Sequence, residues 1–308
     1  MCDVPSEHNR KPPHASNGEP FSPSENVISL HQAEQYCRSI AVGHYENFLV
    51  ASVFLPRQMR QPFYNVYAFC RTADDIADLS PDAVTATTKL RKWQFELRDC
   101  FAGQATTAIF VALADTAKRF ELDIEPFEDL LDAFLQDQVM VRYDTFGQLL
   151  GYCQRSANPV GRIVLRLAKA DREENLPLSD SICTGLQLAN HWQDVARDFA
   201  SGRIYLPRED LGKWGIDPER LNEPECRDAF CEMLRFQCER TGRFLRDGLP
   251  LAERVPRWLA NDIRLFAHGG LATLDVIAKI NYDVIRCRPK VSRLRQVRLI
   301  GAAALGVL

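Results

Sequence analysis

The amino-acid sequence is short of several things, and each shortage closes a class of function. No stretch approaches the roughly 20 consecutive apolar residues a helix needs to cross a bilayer, which excludes a spanning segment. Met1–Pro20 is polar and lacks the apolar centre of a secretory leader, so a cytoplasmic protein is expected. Positive charge is not in excess: the net charge is −3 over 308 residues, which gives no electrostatic footprint for nucleic acid. A phosphorylated ligand would have to be held locally, by metal ions or a few arginines. There is no C-x-x-C, no H-x-x-x-H and no G-x-G-x-x-G. The ten cysteines are scattered singly and read as free, mostly buried thiols in a reducing compartment. Strand-like alternation is essentially missing, as are a fixed repeat and a linker that would split the chain.

What is present is helical periodicity. Residues 1–25, rich in Pro, Ser, Asn and Glu, read as a disordered tail, and 26–308 as one all-α domain. The apolar spacing predicts helices over 30–42, 47–53, 60–79, 82–101, 105–119, 126–137, 145–153, 158–168, 178–200, 225–246, 251–267, 269–281 and 289–305. Pro and Gly, among them Pro62 and Gly103, mark many of the boundaries.

Two polar stripes cross this apolar pattern. In YNVYAFCRTADDIAD, Tyr67, Arg71, Asp74 and Asp78 recur at spacings of four, three and four, which places them on one helix face. Val66, Phe69, Cys70, Ile76 and Ala77 flank the stripe, which points it into a cavity rather than bulk solvent. Carboxylates one turn apart repel unless a cation lies between them. Mg²⁺ suits them, since it takes one or two carboxylates and completes its shell with water and phosphate oxygens. For a single D-x-x-x-D, a solvated acidic face is the commoner explanation. Asp75 lies off the stripe and is the weaker candidate.

The segment QLANHWQDVARD repeats the logic: Gln187, Asn190, Asp194 and Asp198 fall at spacings of three, four and four. GRIYLP follows at once, so Arg203 can reach a diphosphate bound beside this helix end. Two such stripes on separate helices can form a two-sided clamp around a metal-bridged diphosphate, which a lone stripe cannot.

These residues resemble the squalene/phytoene synthase family, the head-to-head branch of the isoprenoid synthases. The resemblance runs from Cys37 to Arg298. YAFCRTADDIAD is similar to the family's first aspartate motif and NHWQDVARDFASGRIYLP to its second. YCQRSANPVG at 152–161 resembles the segment between them, where small residues, here Ala157 and Gly161, let the prenyl chain pass. Asp137 matches a further acidic position. The resemblance implies an all-α isoprenoid synthase fold, a single helical domain around a central hydrophobic cavity capped by the metal motifs. It implies Mg²⁺ held by Asp74, Asp78, Asn190, Asp194 and Asp198. The four aspartates, with Tyr67 and Tyr205 at the mouth, then form the catalytic group. Substrate contacts would come from His44, Asn47, Phe48, Arg71, Ala157, Gly161, Gln187 and Arg203.

HYENFLVASVFLP at 44–56, RSANPVGR at 155–162 and GG…NYDVIRCRP at 269–289 resemble most the bacterial hydroxysqualene synthases of hopanoid pathways. Such enzymes open presqualene diphosphate and quench the cation with water rather than hydride, so NADPH is not expected. A presqualene diphosphate synthase would supply the substrate and a flavin-dependent hydroxysqualene reductase would consume the product. Where phytoene and dehydrosqualene synthases carry a lysine-bearing segment, this chain has Glu46, which removes a phosphate ligand. The alternatives are squalene, presqualene diphosphate or phytoene synthesis, or a non-catalytic helical scaffold. Phe48, Phe69, Phe134 and Phe146 are candidate cation-stabilising walls or plain core residues. Tyr45, Glu46 and Asn47 are candidates to orient the water. His191, off the stripe, reads as a packing residue.

After Asp283 come six basic residues and no acid, then an apolar run from Leu299. This segment would rest on the inner face of an anionic membrane, or dock its apolar side on the core; the sequence leaves both open.

Overall fold

The computed structural model describes residues 28–43 and 54–306, and among them every regular element is helical. The tail, the helix expected over 47–53, and the candidates His44, Tyr45, Glu46, Asn47 and Phe48 lie outside the described residues. The chain forms α1 (Leu30–Gly43), α2 (Arg57–Leu79), α3 (Ala83–Phe101), α4 (Ala108–Phe120), α5 (Glu125–Asp137) and α6 (Phe146–Ser156). It continues through α7 (Asn158–Leu167), α8 (Leu176–Ala200), α9 (Arg208–Lys213), α10 (Arg227–Gly248), α11 (Arg257–Lys279) and α12 (Arg293–Leu305).

Helix α2 starts after Pro56 and stops where Ser80, before Pro81, turns extended (φ −70°, ψ 147°), as residues preceding proline prefer. It buries Met59, Val66, Phe69 and Ala73 against α1, α3, α4 and α5. Pro62 is no boundary; it sits inside the second turn and costs one backbone hydrogen bond. Helix α8 buries Leu188, Ala189, Trp192 and Val195 against α6, α7, α10 and α11. Gly185 permits this approach, because a Cβ there would meet Leu245 at 2.8 Å.

The expected break at residue 268, just before Gly269-Gly270, is absent: α11 runs unbroken from Arg257 to Lys279. Tertiary contact overrides the local penalty of the two glycines, since Gly270 lies where a Cβ would come 2.9 Å from Leu245. The short α9 was not expected from the sequence. One apolar cluster surrounds α2, with Phe69, Phe110 and Phe127 at its heart, and another surrounds α8, with Trp192 and Phe230. Helices α5, α6 and α7 lie between these halves and wall the space that the two motif helices face. No helix of the described residues is long and apolar enough to cross a membrane. The described cysteines are all free, four of them buried and only Cys287 exposed.

Candidate active site

The first aspartate stripe and Gln187 of the second line one cavity of about 270 Å³. Asn190, Asp194 and Asp198 do not line it, and Asp198 lies in a small neighbouring cleft with Arg203, His191 and Tyr205. Helix α2 contributes Asp74 and Asp78, α5 contributes Phe134 and Asp137, and α6 contributes Tyr152 and Ser156. Gln187 of α8 and Arg203 close it. After α8 the chain turns at Gly202, whose φ of +81° favours glycine, and the Arg203 amide donates to Asp198 O at 2.8 Å. The Arg203 guanidinium then lies 4.0 Å from Asp78 of the first motif. One arginine thus ties the two stripes together.

The carboxyls here are poised for a cation. Burial, aided by the neighbouring Asp194, pushes Asp198 up to about 7, against the pull of Arg203 and Arg197. Burial pushes Asp137 up to about 6, opposed by the Tyr152 hydroxyl that donates to its Oδ2 at 2.7 Å. Asp137 Oδ1 and Ser156 Oγ are buried in the cavity wall without a hydrogen-bond partner among the described residues. Arg71 pairs with Asp74 at 3.2 Å and with Asp75 at 2.5 Å. Asn190 is exposed one turn before Asp194. Asp194 is held by Arg288, whose Nε and Nη2 meet its two oxygens at 2.5 and 3.0 Å.

The oxygen-only donor set, the orphaned Asp137 oxygen and the raised carboxyls fit Mg²⁺. Among the described residues no three carboxylate, imidazole or thiol groups converge on a single point. Mg²⁺ does not require that, since it retains water and phosphate oxygens in its shell.

A second, apolar cavity of about 250 Å³ is walled by Val160, Gly161, Leu186, Ile263 and Phe266 among others. Its walls adjoin the first through Ser156–Val160 and Leu186–Gln187. Gly161 belongs to this chamber, and a Cβ on it would come 2.7 Å from Cys183 Sγ and closer still to Ser179 Oγ. Ala157 forms the joint between α6 and α7 above it.

Several expectations need correcting. Tyr205 does not line this cavity: half-buried, its ring stacks on buried His191 with centroids 3.7 Å apart, in the small cleft it shares with Asp198 and Arg203. His191 itself packs, and burial pushes its imidazole down to about 3. Tyr67 packs half-buried on the α2 cluster, one turn before Arg71, and is absent from the cavity wall. Phe69 is fully buried against Trp93, Phe110 and Phe127, so it is core. Phe146 lies under the Arg240 guanidinium at 3.2 Å, away from the cavity; of the proposed aromatic walls, Phe134 lines it. The Tyr152–Asp137 pair, Ser156 and Arg288 were not singled out as site residues from the sequence. Tyr152 opens the YCQRSANPVG segment, which is a signal that was readable.

An all-helical domain that caps one cavity with two facing aspartate-bearing helices defines an isoprenoid synthase fold. Squalene synthase HpnC from Alicyclobacillus acidocaldarius superposes with a TM-score of 0.78 at 40% identity, covering 82% of this chain and 96% of that one. A dehydrosqualene synthase superposes at 0.80, with 24% identity over 90% and 97% of the two chains. The 15-cis-phytoene synthase of Synechococcus elongatus is 32% identical over 302 residues, covering 93% of this chain and 97% of the relative. The squalene/phytoene synthase pattern itself matches residues 28–295, and the chain belongs to that family.

Proposed function

We propose that the enzyme ionises presqualene diphosphate and captures the cation with water to give hydroxysqualene, with Mg²⁺ and without NADPH. The carrying observation is the polar cavity lined by Asp74, Asp78, Asp137, Gln187 and Arg203, whose walls adjoin those of an apolar chamber, with Arg203 next to both the first motif and the end of the second. Asp74, Asp78, Asn190, Asp194 and Asp198 would hold Mg²⁺, which would supply positive charge to neutralise the departing diphosphate. Arg203 and Arg71 bind diphosphate oxygens, and Gln187 orients the substrate at the cavity edge. The chamber beyond Gly161 takes the prenyl chain and excludes stray water. The Phe134 ring faces the carbon that loses the diphosphate and stabilises its positive charge. The cyclopropylcarbinyl cation then rearranges and its ring opens to an allylic cation. Water attacks the allylic carbon, and the proton it sheds passes to the Asp137 carboxylate, which Tyr152 holds in place.

The 40% identity to a squalene synthase supports a presqualene-type substrate. Glu46 in place of a lysine supports one diphosphate rather than two. A phytoene synthase reading draws support from the names of the 32% and 30% identical cyanobacterial relatives. Supplying presqualene, farnesyl or geranylgeranyl diphosphate with Mg²⁺, with and without NADPH, separates the readings by mass spectrometry. Hydroxysqualene from presqualene diphosphate alone is expected; phytoene from geranylgeranyl diphosphate, or turnover of farnesyl diphosphate only, overturns the proposal. A presqualene diphosphate synthase and a flavin-dependent reductase would act before and after it, in the cytoplasm.

A further inference from the structure

The rim of the polar cavity carries surface that the reaction does not use. Leaving α5, the chain exposes Val139 (80%), Met140 and Val141 in succession. This apolar loop is fastened to the end of the second motif: the Ile204 amide donates to Val141 O at 3.0 Å, and Arg142 donates to Gly202 O at 2.5 Å. Across the same motif lies a basic strap between α11 and α12. Arg288 holds Asp194, and the Gln193 side-chain amide donates to Pro289 O at 2.7 Å, which fixes the strap to the second motif helix. Arg286, Lys290 and Arg293 around it are exposed, and no acidic residue follows Asp283.

The strap leads into α12, which docks on α11 through buried Ala303 and an Arg295–Asp275 ion pair. At 100° per residue, Leu294, Val297 and Leu305 fall on the opposite side of this helix. They are exposed, Leu294 by 63% and Val297 by 64%, and Arg298 borders them. Docking on the core therefore accounts for one face of α12 and leaves a second apolar face bare.

We propose that the mouth rim and the outer face of α12 form a docking surface for an anionic lipid bilayer. The positive charge is concentrated here although the chain as a whole is negative, and exposed apolar side chains lie on the loop fastened to the second motif and on the helix that follows the strap. A diffuse anionic surface complements that pattern. A second copy of the chain does not, because a two-fold contact would set one basic strap against another. Helix α12 lies in the plane of the membrane, its apolar residues at the headgroup boundary. The mouth then opens beside the bilayer, where an apolar product can leave without crossing water. This goes beyond the proposed reaction and does not depend on it.

The test is co-sedimentation of the full chain with vesicles of phosphatidylcholine alone or with one-third phosphatidylglycerol, at low and high salt. Binding to the anionic vesicles only, weakened by salt, is expected. Arg293→Glu with Arg298→Glu should lower partitioning by at least about fivefold for each basic residue lost. Val139→Ser with Leu294→Ser and Val297→Ser should weaken binding without any change in charge, with folding verified by circular dichroism. The proposal is overturned by no binding to either vesicle, by equal binding of the apolar variant, or by a dimer in sedimentation velocity that the apolar variant dissolves. The readout is partitioning rather than turnover, so its failure and failure of the reaction assignment are separable.

Discussion

Replacing Arg288 by glutamine removes the guanidinium that occupies Asp194 and leaves every other residue around the cavity in place. The pair is bidentate, at 2.5 and 3.0 Å, between an arginine side chain 44% exposed and an aspartate 22% exposed. Water screens much of the bare attraction at such a site, so the pair contributes about 1 kcal/mol. A metal ion that takes Asp194 must first displace this guanidinium. Its loss should therefore tighten binding of Mg²⁺ alone by about fivefold, the equivalent of that 1 kcal/mol. Global stability should fall little, with Tm lower by about 2 °C or less. The assay is the Mg²⁺ concentration giving half the maximal thermal shift, without diphosphate, in wild type, Arg288→Gln and Arg288→Lys. Unchanged or weaker Mg²⁺ binding in Arg288→Gln would refute the idea that arginine and metal compete for Asp194.

Asp198→Asn should keep the fold but abolish the thermal stabilisation given by Mg²⁺ plus inorganic diphosphate; full stabilisation in the variant rules Asp198 out as a ligand. Gly161→Ala should cost about 1–3 kcal/mol by overpacking, since its Cβ would crowd Cys183 Sγ at 2.7 Å. Adding Ser179→Ala should recover part of that loss in denaturant titrations, and no recovery would mean the crowding lies elsewhere. Buried Asp262, with an unpartnered Oδ1 and a carboxyl pushed up to about 8 by burial, gives a pH signature. The folded state keeps its proton where the unfolded chain has lost it, so this contribution to stability is full below about pH 4 and falls as pH rises to 8. The slope is at most about 1.4 kcal/mol per pH unit. Asp262→Asn should flatten the difference in stability between pH 6 and pH 8, and an unchanged difference refutes the burial argument.

The helical periods of α2 and α8 were legible because a stripe is a local property, written at spacings of three and four. That is why Asp74, Asp78, Gln187 and Arg203 could be placed on one cavity before any coordinates. The Tyr152–Asp137 bond spans 15 residues and the Arg288–Asp194 pair 94, and neither spacing has a local signal. Phe69 and Phe134 look alike in sequence; which one faces the cavity depends on how α2 and α5 pack. A break was read at residue 268, before the Gly269-Gly270 pair, because periodicity is local, whereas Leu245, against which Gly270 packs, comes from another helix. For the C-terminal segment the sequence left two destinations open, and α12 is built for the core on one face while the other remains exposed.

The central claim is that water ends the reaction inside this cavity. The most direct test is turnover of presqualene diphosphate with Mg²⁺ in ¹⁸O-labelled water, with the product analysed by mass spectrometry. One ¹⁸O atom in hydroxysqualene is the expected result. A hydrocarbon product without oxygen, or an alcohol without the label, would contradict it.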